Sequence, residues 1–200
     1  MHSSKLKWVV GTLSAYRVGM SPFGELVRRS VSERVAIDHA ERRTIDVFLA
    51  EYDRLSEPFS KEADLVHVTG SAIVIGERGV VLLKHKRLGL WLQPGGHVDA
   101  GETPWDGALR EAEEETGLTV GFADIDDVLG VPRLVHVDVH QAGRGHTHLD
   151  LRYLIDGGAG DPAPPEGESQ EIGWFSWDEA IEQASDDRLK SALRSLRPQS

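Results

Sequence analysis

The chain has no cysteine among its 200 residues, which excludes a disulfide framework, a thiol nucleophile and a zinc–thiolate site. It has no apolar run long enough to cross a bilayer, so we expect no membrane partner. Basic residues are outnumbered by acidic ones, with 22 Lys and Arg against 33 Asp and Glu. The net charge is −11, and residues 61–200 hold 25 acidic but only 13 basic side chains. Such a domain does not bind a nucleic-acid backbone by electrostatics alone, so we expect no nucleic-acid partner.

The two ends of the chain differ in pattern. From Phe23 to Glu57, apolar residues recur at steps of three and four, which predicts one or two amphipathic helices ended by Pro58. Beyond that point strands and helices alternate without a strict βαβ order, which favours an α+β or mixed α/β sandwich. We therefore predict a mainly helical N-terminal extension over residues 1–62 and a larger domain over residues 63–200.

The extension and the N-terminus leave two questions open. The helices would either shield one face of the larger domain or form a dimer contact, so a homodimer stays open. The short apolar stretch after Lys5 and Lys7 is too weak to predict a signal peptide. Together with the lack of cysteine, it leads us to expect a cytoplasmic location.

One segment concentrates negative charge. Between Gly96 and Leu118, four of five consecutive positions are glutamates: Glu111, Glu113, Glu114 and Glu115. Thr103 as N-cap, Pro104 and Gly117 predict a helix over 103–116, whose C-terminal end disfavours acidic side chains. At 3.6 residues per turn, Glu111, Glu114 and Glu115 share one face. Clustered carboxylate oxygens predict a hard divalent cofactor, Mg²⁺ or Mn²⁺.

The spacing of this segment resembles the signature of the Nudix hydrolases. That signature is Gly, five residues, Glu, seven residues, then Arg-Glu-apolar-x-Glu-Glu-x-Gly-apolar. All of its fixed positions are met here: Gly96, Glu102, Arg110, Glu111, Ala112, Glu114, Glu115, Gly117 and Leu118. The resemblance covers about residues 66–190 and implies an α/β/α sandwich with a mixed sheet. It also implies hydrolysis of a nucleoside diphosphate linked to another moiety, such as a nucleoside triphosphate, ADP-ribose or a nucleotide sugar.

The resemblance also implies a role for each matching residue. Glu111, Glu114 and Glu115 would be metal ligands, joined by the carbonyl of Gly95. Arg110 and Glu102 would form a supporting pair that orients the ligands. The general base stays open. Glu111 is preferred, Glu168 is the leading candidate from a late loop, and Glu166 and Glu171 are further loop candidates.

Two predicted strands, Val128–Val139 and Thr147–Ile155, form a hairpin and alternate sharply between polar and apolar residues. The polar positions are His136, Asp138 and His140 on the first strand and His146, His148, Asp150 and Arg152 on the second. We predict that this face lines the substrate cleft, with His97, His136, His148 and Arg152 binding the substrate. Two alternatives stay open: a solvent-exposed face held by cross-strand pairs, and a transition-metal site.

The sequence permits other functions on the same fold. A non-catalytic Nudix-like binding or regulatory module is the main alternative, but such proteins often lose signature glutamates, and all are present here. An isomerase of the isopentenyl diphosphate type needs a cysteine, which this chain lacks. The expected partner is a small nucleotide-derived diphosphate.

Overall fold

The structure, a computed structural model, describes residues 22–199. The start of the predicted extension and the stretch after Lys5 and Lys7 therefore lie outside the described residues. The helices are α1 (Pro22–Glu33), α2 (His39–Tyr52), α3 (Pro104–Thr116), α4 (Trp177–Gln183) and α5 (Asp187–Leu196). The strands are β1 (Val66–Gly76), β2 (Gly79–Lys84), β3 (Trp91–Leu92), β4 (Gly95–His97), β5 (Gly121–Phe122), β6 (Leu134–Gln141), β7 (Thr147–Asp156) and β8 (Ile172–Phe175).

The strands form one mixed sheet in the order β3-β2-β1-β7-β5, with β4 beside β1, β6 beside β7 and β8 beside β2. The central pair, β1 and β7, is parallel, and the other pairs are antiparallel. Helices α1, α2 and α3 bury apolar residues against one face, and α4 and α5 cover the other. The predicted α/β/α sandwich with a mixed sheet is confirmed.

One predicted strand begins later than expected. The apolar run from Val128 predicted a strand through Val139, but β6 starts at Leu134. The side chain of Asp126 accepts hydrogen bonds from the amides of Val128 and Leu129, and Gly130 follows with a φ of 67°. A turn of this kind supplies the local backbone bonds that a strand would have made with its neighbour.

The N-terminal helices share the core of the larger domain. The buried side chains of α1 and α2 include Val27, Ile45 and Phe48, which belong to the same apolar cluster as residues of β1 and β7. The hydroxyl of Tyr52 donates a hydrogen bond of 3.0 Å to the carbonyl of Gly24 and so ties the two helices together. Residues 22–52 therefore pack as part of the fold.

A buried ion pair covers the outer side of β6. Glu41 is 2% exposed. It accepts hydrogen bonds from Arg34 at 2.6 Å and from the amide of Val137 at 2.9 Å. Arg34 also donates to the carbonyls of Leu134 and Val135. Burial alone would raise the pKa of Glu41, but these donors bring it below its ordinary value. The pair thus satisfies an otherwise open strand edge.

Helix α3 lies unusually close to β1. A side chain at Gly70 would overlap the carbonyl oxygen of Pro104 and lie 3.0 Å from the amide nitrogen of Ala108. Because glycine has no Cβ, the helix backbone can rest directly on the strand. This contact fixes the height of α3 above the sheet.

We expect Gly70→Ala to lower the free energy of unfolding by about 3 kcal/mol, since the added methyl must push two backbones apart. Gly121→Ala is the matched control, because a Cβ at Gly121 would meet nothing within 4 Å. That control should change stability by less than about 1 kcal/mol. Urea unfolding followed by circular dichroism measures both. Equal stabilities for the two variants would contradict the close-approach argument.

Candidate metal and active site

The local sequence sets the bounds and the buried face of α3. The side chain of Thr103 accepts a hydrogen bond from the amide of Asp106, and Pro104 opens the helix. Gly117 ends it with a φ of 67°, in the left-handed region that glycine favours. The predicted helix is therefore confirmed. Its buried stripe consists of Trp105, Ala108, Ala112 and Thr116, with Leu109 half-buried at its side.

The opposite side of α3 carries a guanidinium surrounded by carboxylates. Arg110 bonds to Glu102 at 2.9 Å, to Glu111 at 3.0 Å and to Glu114 at 3.0 Å. It also donates to the carbonyl of His97 at 3.0 Å. The hydrogen bonds from Arg110 hold the pKa of Glu102 below its ordinary value. One cation thus links the helix to the preceding loop and orients the acidic side chains.

Two of the carboxylates are poorly compensated by positive charge. Burial raises the pKa of Glu115 to about 7, despite a 2.9 Å hydrogen bond from the amide of Gly95. Burial also raises the pKa of Glu111, and the opposing effect of Arg110 does not cancel it. A side chain at Gly96 would overlap the carboxylate of Glu111. Gly95 and Gly96, which we call the glycine loop, have no side chains, so their backbone can lie directly against the acidic face of the helix.

The late loop adds one more acid to this neighbourhood. The negative charge of Glu168 contributes to the raised pKa of Glu115. Glu171, in contrast, forms an ion pair with Lys84 at 2.9 Å. The backbone of Glu166 pairs with that of Glu168. Of the three predicted loop candidates, Glu168 is the one whose charge acts on the carboxylates of α3.

These residues fit a hard divalent cation. The donors are all oxygens, namely the side chains of Glu111, Glu114 and Glu115 with backbone groups of the glycine loop nearby. A cation would offset the cost of burying Glu111 and Glu115 as anions, which the raised pKa values of both reflect. Glu114 is the most open of the three, with its side chain 57% exposed. The arrangement thus combines two half-buried carboxylates with a more exposed one.

Two grooves border this region. One of about 600 Å³ lies between residues 55–62 and residues 98–102, and it touches Glu102 but none of the three predicted metal ligands. A second groove, of about 280 Å³, is lined by Lys84, His85 and Lys86 together with residues 169–171. The second groove therefore places basic side chains beside the loop that carries Glu168.

The polar face of the hairpin is largely buried, which corrects part of our expectation. Arg152 is 2% exposed and His136 is 3% exposed. Arg152 lies 3.1 Å from Asp138 and 3.3 Å from Asp150, and Arg188 of α5 reaches Asp138 at 2.9 Å. Helix α5 covers this end of the face, so it is neither a solvent-exposed surface nor an open cleft. His136 and Arg152 are not placed to touch a substrate directly.

The other end of the polar face is more accessible, and it holds the remaining predicted substrate ligands. His97 and His148 are both half-buried, and their ring centroids lie 5.2 Å apart. His67, which is not among the predicted site residues, packs against both rings. The alternation of His67, Thr69 and Ser71 along β1 was the signal that could have found it.

The buried imidazole of His136 makes stability depend on pH. Burial and then the charge of Arg152 lower its pKa to about 4, against opposing effects of Glu41 and Asp138. In the unfolded chain His136 has its ordinary pKa of 6.5, so it binds a proton there at a higher pH than in the folded protein. The contribution of His136 to the free energy of unfolding is therefore fully present above pH 6.5 and is lost as the pH falls from about 6.5 to 4.

Between pH 6.5 and pH 4 the free energy of unfolding should fall less steeply with pH in His136→Gln than in the unaltered protein. We expect the slope to differ by up to about 1.4 kcal/mol per pH unit, the effect of one proton. Urea unfolding at intervals between pH 7 and pH 4 measures the slope. His39→Gln, which changes an exposed histidine at the start of α2, should leave the slope unchanged. A slope for His136→Gln equal to that of the unaltered protein would show that this residue does not titrate as described.

Comparison with known proteins agrees with this geometry. The profile of the NUDIX domain family matches residues 65–196. A probable DHNTP pyrophosphohydrolase of Lactococcus lactis subsp. cremoris is 32% identical over 93 residues, which are 46% of this chain and 54% of that protein. An RNA pyrophosphohydrolase of Erythrobacter litoralis is 40% identical over 60 residues, which are 30% of this chain and 35% of that protein. The chain thus spans about half or less of the length of these curated relatives.

A solved structure extends the likeness to the fold. A NUDIX-family hydrolase from Clostridium perfringens superposes with a TM-score of 0.57 at 25% identity, covering 66% of this chain and 98% of that one. The fold and the acidic helix together define a Nudix-type α/β/α domain. The chain belongs to the Nudix family of hydrolases, as the signature at residues 96–118 predicts. Among residues 22–199, no helix has the length and apolar character needed to span a membrane.

Proposed function

We propose that this protein is a divalent-metal-dependent pyrophosphohydrolase. Its substrate would be a nucleoside diphosphate linked to another moiety, and the bond cleaved would lie within the diphosphate linkage. The observation that carries the proposal is the pair of half-buried carboxylates, Glu111 and Glu115, which lie beside Gly95 and Gly96 and whose pKa values are raised. Two held anions of this kind are a binding site for positive charge.

The ligands that would hold Mg²⁺ or Mn²⁺ are Glu111, Glu114, Glu115 and the carbonyl of Gly95. When bound, such an ion neutralises phosphate oxygens and makes a coordinated water easier to deprotonate. The domain itself is strongly acidic and would otherwise repel a diphosphate. The support from this chain is the shared face of the three glutamates and the direct contact between the Gly95 amide and Glu115.

Arg110 and Glu102 would act as positioning residues. The guanidinium bonds to Glu102, Glu111 and Glu114 at once, so it restricts where the two ligand carboxylates point. Glu102 in turn accepts the amide of Asp99 and so fixes the guanidinium to the loop. We expect these two residues to control the placement of ligands rather than to touch the reacting atoms.

The general base would be Glu111, acting directly or with the help of its bound cation, and Glu168 is the alternative from the late loop. A raised pKa moves Glu111 towards the range in which a carboxylate accepts a proton from water. Glu168 is supported by its electrostatic effect on Glu115. Glu171 is a weaker candidate because Lys84 neutralises it.

The substrate class rests on chemistry shared with the relatives. Those named above are pyrophosphohydrolases of DHNTP and of RNA. In the groove lined by Lys84, His85 and Lys86, Lys84 is paired with Glu171, so Lys86 would supply positive charge for the rest of an anionic substrate. His97 and His148, which are both half-buried, are the remaining candidates for contact with such a substrate. A small nucleotide-derived partner and a cytoplasmic location are parts of this proposal, and a homodimer stays open.

We expect Glu111→Gln and Glu115→Gln to lower kcat by about 10²-fold or more at saturating Mg²⁺, since each loses one ligand charge worth several kcal/mol in the transition state. Glu113→Gln, an exposed residue of the same helix outside the ligand face, is the matched control and should keep its turnover. Steady-state kinetics with and without a chelator measure both effects. Undiminished turnover in either ligand variant, or full activity after chelation, would refute the proposed metal site.

A substrate panel tests the reaction class. It would contain nucleoside triphosphates in ordinary and oxidised forms, ADP-ribose, nucleotide sugars, dinucleoside polyphosphates and 5′-triphosphorylated RNA, with products resolved by mass. We expect Mg²⁺-dependent cleavage within the diphosphate of at least one class, with oxygen-18 from water found in one phosphate product. Tight binding of a nucleotide without turnover would instead favour a regulatory module.

A further inference from the structure

Five histidines meet at the accessible end of the polar face. They are His67 on β1, His97 on β4, His140 on β6, His146 immediately before β7 and His148 on β7. Their neighbouring ring centroids lie 5.1–5.3 Å apart. The chain has nine histidines in all, so more than half of them share one small volume.

His67 is the member whose chemistry is unexplained. It is 1% exposed, and its Nδ1 lies 3.2 Å from the carbonyl of Asp64. That contact assigns the proton to Nδ1 and leaves a lone pair on Nε2. Among residues 22–199, Nε2 has no hydrogen-bond partner although it is buried. A buried nitrogen without a partner is costly, and a histidine that donates Nδ1–H to a backbone carbonyl is oriented as metal-binding histidines commonly are.

Strand pairing brings two more imidazoles to this nitrogen. His67 is the register partner of His148 across the parallel β1–β7 pair, and Thr69 is the partner of His97 across β1–β4. One ring nitrogen from each of His67, His97 and His148 lies within 4.8 Å of the other two. Zinc–nitrogen bonds of about 2.0–2.1 Å need ligand nitrogens no more than about 4.2 Å apart. Small side-chain rotations would therefore complete the site.

Neutral imidazole is the form in which histidine binds metals. His140 lies behind His148 and contacts Asp138 at 3.1 Å, which restricts the ring against which His148 packs.

We propose that His67, His97 and His148 form a second cation site, which binds Zn²⁺ or a similar transition metal. It is separate from the carboxylate site in donor chemistry. Imidazole nitrogens suit zinc, whereas the carboxylates of α3 suit Mg²⁺. Three histidines leave a fourth position for water or a substrate oxygen. His97 and His148 are half-buried, so an ion can reach the site from solvent.

The first experiment measures metal content and coordination in the full chain. The protein would be stripped with a chelator, incubated with ZnCl₂ in the presence of millimolar MgCl₂, desalted and analysed for bound zinc. We expect one Zn²⁺ per chain, retained despite the excess of Mg²⁺. Loading with Co²⁺ instead should give the visible absorption bands of a four-coordinate nitrogen site. Thermal melts should show that Zn²⁺ raises the unfolding temperature, because the ion would join β1, β4 and β7.

Variants assign the site to its three histidines. His67→Gln, His97→Gln and His148→Gln should each weaken zinc binding by about 10²-fold or more, since each removes one of three ligands. His39→Gln is the matched control and should bind zinc normally. Glu115→Gln should also retain zinc while losing Mg²⁺-dependent turnover, so a failure of this inference is distinguishable from a failure of the proposed hydrolase function.

Three outcomes would overturn the proposal: no stoichiometric zinc in the unaltered protein, zinc that Mg²⁺ displaces, or unchanged zinc affinity in the ligand variants. His67 is buried, so its variant could fail to fold, which circular dichroism would reveal. His97 and His148 are less buried, and their variants decide the question in that case. Loss of zinc in both, with folding retained, supports the site; normal zinc in both refutes it.

Discussion

The direct seating of α3 on β1 governs the geometry of the acidic site. Because Gly70 has no side chain, the backbone at Pro104 and Ala108 rests against the strand. The adjoining strand β4 pairs with the same part of β1, at Thr69, Gly70 and Ser71. The helix and the glycine loop therefore both contact β1 within the same three consecutive residues. Any movement of that strand would move the carboxylates and the backbone groups together, which preserves their spacing.

A second constraint is the balance of charge on the outer side of α3. Arg110 contacts Glu102, Glu111 and Glu114, whereas Glu115 accepts a hydrogen bond from the amide of Gly95. Glu115 is also the carboxylate whose pKa is raised to about 7. Arg110 thus compensates part of the negative charge on this side of α3, and within residues 22–199 Glu115 is left without a cationic partner among its hydrogen bonds. A divalent cation would supply that partner, which connects the energetics of the folded state with the proposed chemistry.

The sequence predicted best what depends on neighbours along the chain. The bounds of α3 follow from Thr103 and Gly117, and the shared face of its glutamates follows from helical spacing alone. The sequence did not predict the burial of side chains that are covered by elements distant along the chain. Asp138 and Arg152 look like surface residues until Arg188 of α5 is known to cover them. The polar alternation along β1 marks His67, but its partners could not be predicted, because His97 and His148 are brought to it only by the pairing of β1 with β4 and β7.

Strand β4 shows how one short segment can serve two kinds of cation. The backbone of Gly95 and Gly96 lies against the carboxylates of α3, while the ring of His97 joins the imidazoles on the other side of the sheet. The donors on the two sides differ in softness, so Mg²⁺ and Zn²⁺ would be sorted by ligand type rather than by overall affinity. The carbonyl of His97 also accepts a hydrogen bond from Arg110. A change in the position of this residue on filling one site would therefore reach the guanidinium that orients the ligands of the other.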